Sequence, residues 1–245
     1  MEFQREAAMN AKTIHRLSVP QPIATIGDFE GEAEKKILSQ LGPGTLLMMG
    51  DNPALPQMPK RPKLFDFYRL RFNKTARGHL LQSAMLARKA GHAEKIVLAC
   101  LLHDIAMGAL MRTDHGYWGA QLIAPYVDEE VAWAVKHHQA LRFFSDPSVN
   151  YEYPEAYVRF WGEGYEVPEY LRRSYEEART HRWYMSARAI TLYDLYSFED
   201  NVTIDPGEFE DLVGRHFKQP EEGLGFDGSP TAHMWRTMIW PDNFL

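Results

Sequence analysis

One segment constrains the fold of this chain more than any other: residues 96–107 are apolar except for the adjacent pair His103 and Asp104. A run of this length without alternation predicts a helix that is buried on every side. An isolated ionised carboxylate is costly to bury, so Asp104 requires a cation, a hydrogen-bonded partner or a proton. A metal ion meets this requirement, and a local hydrogen bond between His103 and Asp104 is the structural alternative.

Long helical patterns follow one another from residue 78 onwards. Apolar periodicity, capping residues and glycine stops predict helices over residues 78–90, 93–111, 115–127, 128–144 and 168–198. Asp128 is expected to cap the fourth of these helices with its carboxylate. No alternating pattern typical of a strand is present. We therefore expect an all-α bundle whose core covers residues 76–200.

Proline and glycine are frequent at both ends of the chain. We expect an irregular N-terminal extension over residues 1–75 and a C-terminal tail over residues 201–245, each packing on the core. A length of 245 residues with 45% hydrophobic content suits one large domain with elaborated ends.

Charge and composition exclude several classes of partner. The formal net charge of -6 disfavours nucleic acid, and no apolar run approaches the ~20 residues of a membrane span. The single cysteine, Cys100, rules out an intrachain disulfide and suits a reducing compartment. We expect a cytoplasmic protein that acts on a small molecule and has neither a nucleic-acid nor a membrane partner.

Two further ionisable residues occupy helical positions. His79 begins the helix before the His103-Asp104 pair, and antiparallel packing across the turn at Gly91 would bring it near His103. Asp194 shares a helical face with apolar residues, so its carboxylate also requires a cation. Imidazole and carboxylate ligands together suit zinc, iron or manganese.

A basic segment precedes His79. Residues 60–77 contain seven lysines and arginines against one acid, although the chain as a whole is acidic. Arg69 and Arg77 are therefore candidates for binding an anionic group of the substrate. The alternative is a solvated basic loop.

The ordered set His79, His103-Asp104 and Asp194 resembles the H...HD...D signature of the HD superfamily, whose members bind metal with these residues on a helical bundle. The resemblance implies that Asp104 bridges two metal ions and that His79, His103 and Asp194 complete one site. We accordingly assign Asp104 and His103 to the catalytic centre.

In dinuclear HD proteins an additional pair of histidines completes the second metal site. His115 and one of His137 or His138 resemble that pair, and periodicity leaves the choice open because both have apolar neighbours three or four positions away. The resemblance favours His137, since an Ala-Lys-Arg-aromatic run follows the corresponding histidine in the phosphonate-cleaving HD oxygenases. Here that run reads Ala140-Leu141-Arg142-Phe143.

The same resemblance points to candidate substrate contacts. It implies that Arg142 binds substrate, and Tyr68 lies near the place where these oxygenases carry a tyrosine that approaches the metal. Leu141 departs from the pattern, because the oxygenases have a lysine there that is associated with the phosphonate. We therefore carry over the metal ligands of these oxygenases to this chain, but not their phosphonate substrate.

The resemblance to these oxygenases and to myo-inositol oxygenase implies a non-haem, mixed-valent diiron (Fe2+/Fe3+) oxygenase for a small polar or anionic substrate. A metal-dependent phosphohydrolase, using manganese or another divalent ion on a nucleotide or phosphate ester, is the alternative, because the same ligands serve both reactions. A non-catalytic metal-binding scaffold is the third hypothesis. The complete ligand set argues against it, since an apolar core would be less costly to bury.

Overall fold

The structure, a computed structural model, describes residues 55–108, 114–194, 197 and 202–241. Within these ranges all regular structure is helical, with ten α-helices, three short 3-10 segments and no strand. The all-α class is therefore confirmed. The α-helices are α1 Leu64–Leu70, α2 Lys74–Lys89, α3 Glu94–Leu102, α4 His115–Ile123, α5 Glu129–Leu141, α6 Glu155–Trp161, α7 Glu169–Arg179, α8 Tyr184–Asp194, α9 Glu210–His216 and α10 Ala232–Ile239.

The core is arranged around α5, which packs against α3, α4, α7 and α8. The α8 helix also contacts α2 and α3, so the five helices that carry candidate ligands or flank them converge: α2, α3, α4, α5 and α8. Every residue of α3 from Ile96 to Leu102 is buried, as the continuous apolar pattern predicts.

The α3 helix is shorter than predicted: it ends at Leu102, whereas the sequence pattern predicted a helix over residues 93–111. The His103 ring donates from Nδ1 to the carbonyl of Cys100 at 2.7 Å and so satisfies one of the last helical carbonyls. A 3-10 segment, Ile105–Gly108, follows the pair. The remainder of the predicted helix, residues 109–111, lies outside the described residues.

The predicted helix over residues 168–198 is two helices, α7 and α8, within the described part of the chain. Between them the amide of Trp183 donates to Nδ1 of His181 at 3.2 Å, a local bond that replaces helical pairing. The His181 ring stacks on Trp133 of α5, with ring centroids 4.2 Å apart. Tertiary packing on α5 therefore accompanies the break.

The predicted capping role of Asp128 is wrong. Its side chain accepts no amide of α5 and instead lies 2.9 Å from Nζ of Lys95. The two charges are partly exposed and join the beginnings of α3 and α5. The carboxylate is thus paired with Lys95 and caps no amide of α5.

The regions predicted to be irregular contain helices of their own. The α1 helix lies within residues 1–75 and buries Leu64 and Phe67, while residues 1–54 lie outside the described residues. In the C-terminal region, Trp235 of α10 is fully buried and donates from Nε1 to the carbonyl of Leu122 at 3.2 Å. Among the described helices, none has the length and apolar character needed to cross a membrane.

Candidate metal centre

Four predicted ligands converge in the core as a first group: His79, His103, Asp104 and Asp194. His79 comes from α2, the His103-Asp104 pair directly follows α3, and Asp194 is the last residue of α8. Nε2 of His79 lies 3.2 Å from Oδ1 of Asp194 and 3.5 Å from Oδ2 of Asp104. Nε2 of His103 lies 3.7 Å from Oδ1 of Asp194. All four residues are buried.

A second group shares Asp104 with the first and adds His115 and His138. His115 is the first residue of α4, and His138 lies in the last turn of α5. Oδ1 of Asp104 is 3.1 Å from Nε2 of His115 and 3.5 Å from Nε2 of His138. Asp104 is therefore the one residue common to the two groups, as the sequence resemblance implies for a bridging ligand.

The imidazoles are oriented by backbone carbonyls behind them. Nδ1 of His103 donates to Cys100, and Nδ1 of His138 donates to the carbonyl of Val135 at 2.6 Å. A neutral imidazole that donates through Nδ1 keeps an unprotonated Nε2, which in both residues points into the cluster. This arrangement is typical of metal-binding histidines, whose second nitrogen is held by a carbonyl or carboxylate.

Pairs of ring nitrogens face each other across short distances. Nε2 of His79 lies 3.1 Å from Nε2 of His103, and Nε2 of His115 lies 3.2 Å from Nε2 of His138. Two unprotonated nitrogens at this separation require a proton or a cation near them. Oδ1 of Asp104 and Oδ2 of Asp194 are in addition buried without a hydrogen bond. The donor set therefore fits metal ions in both groups.

The pKa values express the same demand for positive charge. Burial raises the pKa of Asp104 and of Asp194, but the surrounding histidines lower both well below the ordinary value. Burial lowers the pKa of His79, but its hydrogen bonds with the two carboxylates raise it to about 9. Burial lowers the pKa of His138 to about 4, which keeps this imidazole neutral. The two buried carboxylates therefore favour a positive charge between them.

The structure corrects the choice between the two adjacent histidines. Nδ1 of His137 faces the hydroxyl of Ser174 at 3.2 Å, and its ring packs on Trp133 with centroids 4.4 Å apart. Successive side chains on a helix point roughly 100° apart, so His137 turns away from the cluster when His138 faces it. His138, and not the expected His137, joins Asp104 and His115.

Arg142 is the predicted substrate contact that lies beside the cluster. Its Nη1 is 3.9 Å from Oδ2 of Asp194, and its guanidinium lies over the rings of Phe143 and Tyr157. Nε of Arg142 is buried without a hydrogen-bond partner. Burial lowers the pKa of Arg142, but the nearby acidic groups raise it overall, so the side chain stays charged. The site therefore presents a buried cation with an unused donor.

The other predicted substrate contacts have partners elsewhere. Tyr68 is fully buried and its hydroxyl donates to the carbonyl of Leu101. Arg69 lies 3.5 Å from Glu210, and Arg77 donates to the carbonyl of Tyr68 at 3.5 Å. These contacts hold α1 against the core. The hypothesis that this segment binds the substrate anion is not supported by them.

A cavity of about 590 Å3 lies between α4, α5 and α7, and sequence reasoning did not indicate it. Asp114 and Gln139, the chain neighbours of His115 and His138, are among its lining residues. Gln139 accepts the amide of Gly116 at 3.2 Å and so joins α4 to α5 at this wall. The cavity therefore borders the backbone that carries the second group.

A comparison with known protein families matches the part of the chain that holds most of the cluster. Residues 77–179 match the HD domain family. The match supports the resemblance to the HD superfamily and indicates a metal-dependent enzyme. It includes the five cluster residues from His79 to His138 and ends before Asp194. No curated protein is similar enough to count as a match.

Proposed function

We propose that the protein is a dinuclear metal enzyme, and specifically a non-haem diiron oxygenase for a small polar or anionic substrate. The observation that supports this most is the carboxylate of Asp104 shared between two histidine-rich groups. The first group offers four protein ligands and the second offers three. Metal ions that accept up to six ligands would keep positions for substrate and dioxygen.

Two iron ions held by these residues would supply dioxygen activation and a place for substrate heteroatoms to coordinate. The residues of the chain supply the rest. The carbonyls of Cys100 and Val135 fix the imidazole orientations, and burial of the cluster excludes bulk water. Arg142 would bind the anionic group of the substrate through its buried guanidinium.

A metal-dependent phosphohydrolase is the second candidate, and the HD domain match favours it. The same ligand set would suit manganese or another divalent ion. Arg142 also suits a phosphate, because a guanidinium donates two parallel hydrogen bonds to such a group. The two candidates differ in their need for dioxygen and for a redox-active metal.

The deciding experiment compares redox behaviour. Protein expressed with iron and purified without oxygen should give a mixed-valent diiron EPR signal that changes when candidate substrates are added. Turnover should require air and should be lost when manganese replaces iron. Phosphate release from a nucleotide or phosphate ester without oxygen, abolished by Asp104→Ala, would instead establish the hydrolase.

A further inference from the structure

Arg188, in the second turn of α8, is fully buried although it is not among the candidate ligands or substrate contacts. Arginine is almost never fully buried unless it is paired, because five N–H donors must find acceptors. The identity of those acceptors therefore indicates what the side chain does.

Two of the acceptors are carbonyls on either side of Arg142. Nη1 of Arg188 donates to the carbonyl of Leu141 at 3.0 Å, and Nη2 donates to that of Phe144 at 3.1 Å. The carbonyl of Leu141 is at the end of α5, where the last helical C=O groups lack partners within the helix, and that of Phe144 follows in the turn after it. A cation at this end also complements the helix dipole. Arg188 thus holds the backbone from which Arg142 projects.

The remaining contacts fix Arg188 itself. The hydroxyl of Tyr184 accepts from its Nε and Nη2 at 3.2 and 3.0 Å and donates to Asp146 at 2.6 Å. Asp146 provides the counter-charge at 3.6 Å, and the guanidinium lies 4.7 Å from the ring centroid of Tyr151. The hydroxyl of Tyr151 in turn donates to the carbonyl of Arg142 at 2.8 Å.

Arg188 and Asp194 lie on the same helix, α8. One guanidinium therefore ties the backbone of Arg142 to the helix whose last residue is a candidate metal ligand. The 3.9 Å approach of Arg142 to Asp194 depends on how these two segments are held together. Within the described part of the chain, Arg188 donates hydrogen bonds to Leu141, Phe144, Tyr184 and Thr191, and none of these is a candidate metal ligand.

We propose that Arg188 is a positioning residue that sets the guanidinium of Arg142 beside the metal centre, where it receives the anionic group of the substrate. The inference rests on the proposed function only through the role of Arg142. A purely structural Arg188 would stabilise the fold without any energetic coupling to anion binding by Arg142.

A double-mutant cycle on anion affinity tests this. The probe is inorganic phosphate, titrated calorimetrically into the iron-loaded protein without oxygen, with metal content measured for each variant. Arg142→Met should weaken phosphate binding about tenfold or more, the loss expected for a hydrogen bond to a charged group. Arg188→Met should weaken it severalfold while metal content is retained. In the Arg142→Met background, Arg188→Met should have no further effect.

Arg182→Met is the matched control, because Arg182 is exposed and lies over Trp183 instead of the α5 carbonyls. It should leave the phosphate affinity unchanged. If Arg188→Met does not fold, Arg188→Lys and Tyr184→Phe replace it in the cycle, because each weakens the anchor without removing all of its contacts.

The outcomes separate the two proposals. If Arg142→Met binds phosphate as tightly as the wild type, the anionic subsite of the proposed function is wrong and the role of Arg188 falls with it. If Arg142→Met weakens binding but the Arg188 variants either leave it unchanged or act additively with Arg142→Met, the anion subsite stands and the positioning role of Arg188 is overturned.

Discussion

His115 and His138 face each other beside Asp104, with their Nε2 atoms 3.2 Å apart. His138→Ala should therefore lower the metal content of the purified protein, because it removes one of three ligands from the second group. His137→Ala should retain the wild-type metal content, since its ring contacts Trp133 and Ser174. Metal analysis by plasma mass spectrometry on both variants measures the difference. The reverse pattern would restore His137 as the ligand.

The close approach of α4 to α5 predicts a stability effect at Gly116. A Cβ atom there would lie 2.9 Å from the carbonyl oxygen of Lys136 and 3.0 Å from that of Val135. Backbone atoms cannot move aside easily, so Gly116→Ala should lower the free energy of unfolding by about 1–3 kcal/mol. Denaturant titration monitored by circular dichroism measures this change.

Gly214→Ala is the control for that substitution. Gly214 lies in α9, and a Cβ atom there meets nothing within 4 Å. Alanine is the better helix former by about 1 kcal/mol, so this variant should be as stable as the wild type or more stable. Equal destabilisation by the two substitutions would show that the α4–α5 contact is not the cause.

Tyr68 provides a test of whether the segment before His79 contacts the substrate. Tyr68→Phe removes the buried hydroxyl that donates to the carbonyl of Leu101. The free energy of unfolding should fall by about 0.5–1.5 kcal/mol, the usual net value of one such bond. Phosphate affinity and metal content should not change. A large loss of phosphate affinity with unaltered stability would instead support Tyr68 as a substrate contact.

The buried thiol of Cys100 should make thiol reactivity and folding stability depend on pH. Burial raises the pKa of its thiol to about 12, so the native protein holds the protonated form at pH 8. Alkylation by iodoacetamide should be slow in the native state and fast in denaturant, where a thiol has a pKa of about 8.5. The protonated thiol contributes to the free energy of unfolding below about pH 8.5. This stabilisation is lost as the pH rises towards 12. Rapid labelling of the native protein at pH 8 would contradict the burial.

The helices that sequence reasoning predicted best are the long, strongly patterned ones. The continuous apolar run of α3 correctly indicated burial on every side, and α2 begins within a few residues of the predicted start. The α1 and α6 helices span only seven residues each, which is too short for a periodic pattern to stand out. At the end of α3, the His103 side chain donates a hydrogen bond to the carbonyl of Cys100, and hydrophobic periodicity does not predict such a bond.

The candidate ligands show a second limit of prediction from sequence. Residues on both faces of α5 are buried, because α4 packs on it and so does α7. His137 and His138 are consequently both buried in apolar surroundings, and periodicity cannot separate them. Arg188 was missed because its acceptors are 44 and 47 residues away in the chain. Contacts of this kind follow from the packing of helices and not from local sequence.

The central claim is that Asp104 is shared by two metal ions, and metal stoichiometry tests it most directly. Plasma mass spectrometry should find up to two transition-metal ions per wild-type chain and none in Asp104→Ala, while Asp194→Asn should deplete the first group and leave the second. Full retention of metal in Asp104→Ala, with the fold intact by circular dichroism, would contradict the assignment of this cluster as a dinuclear centre.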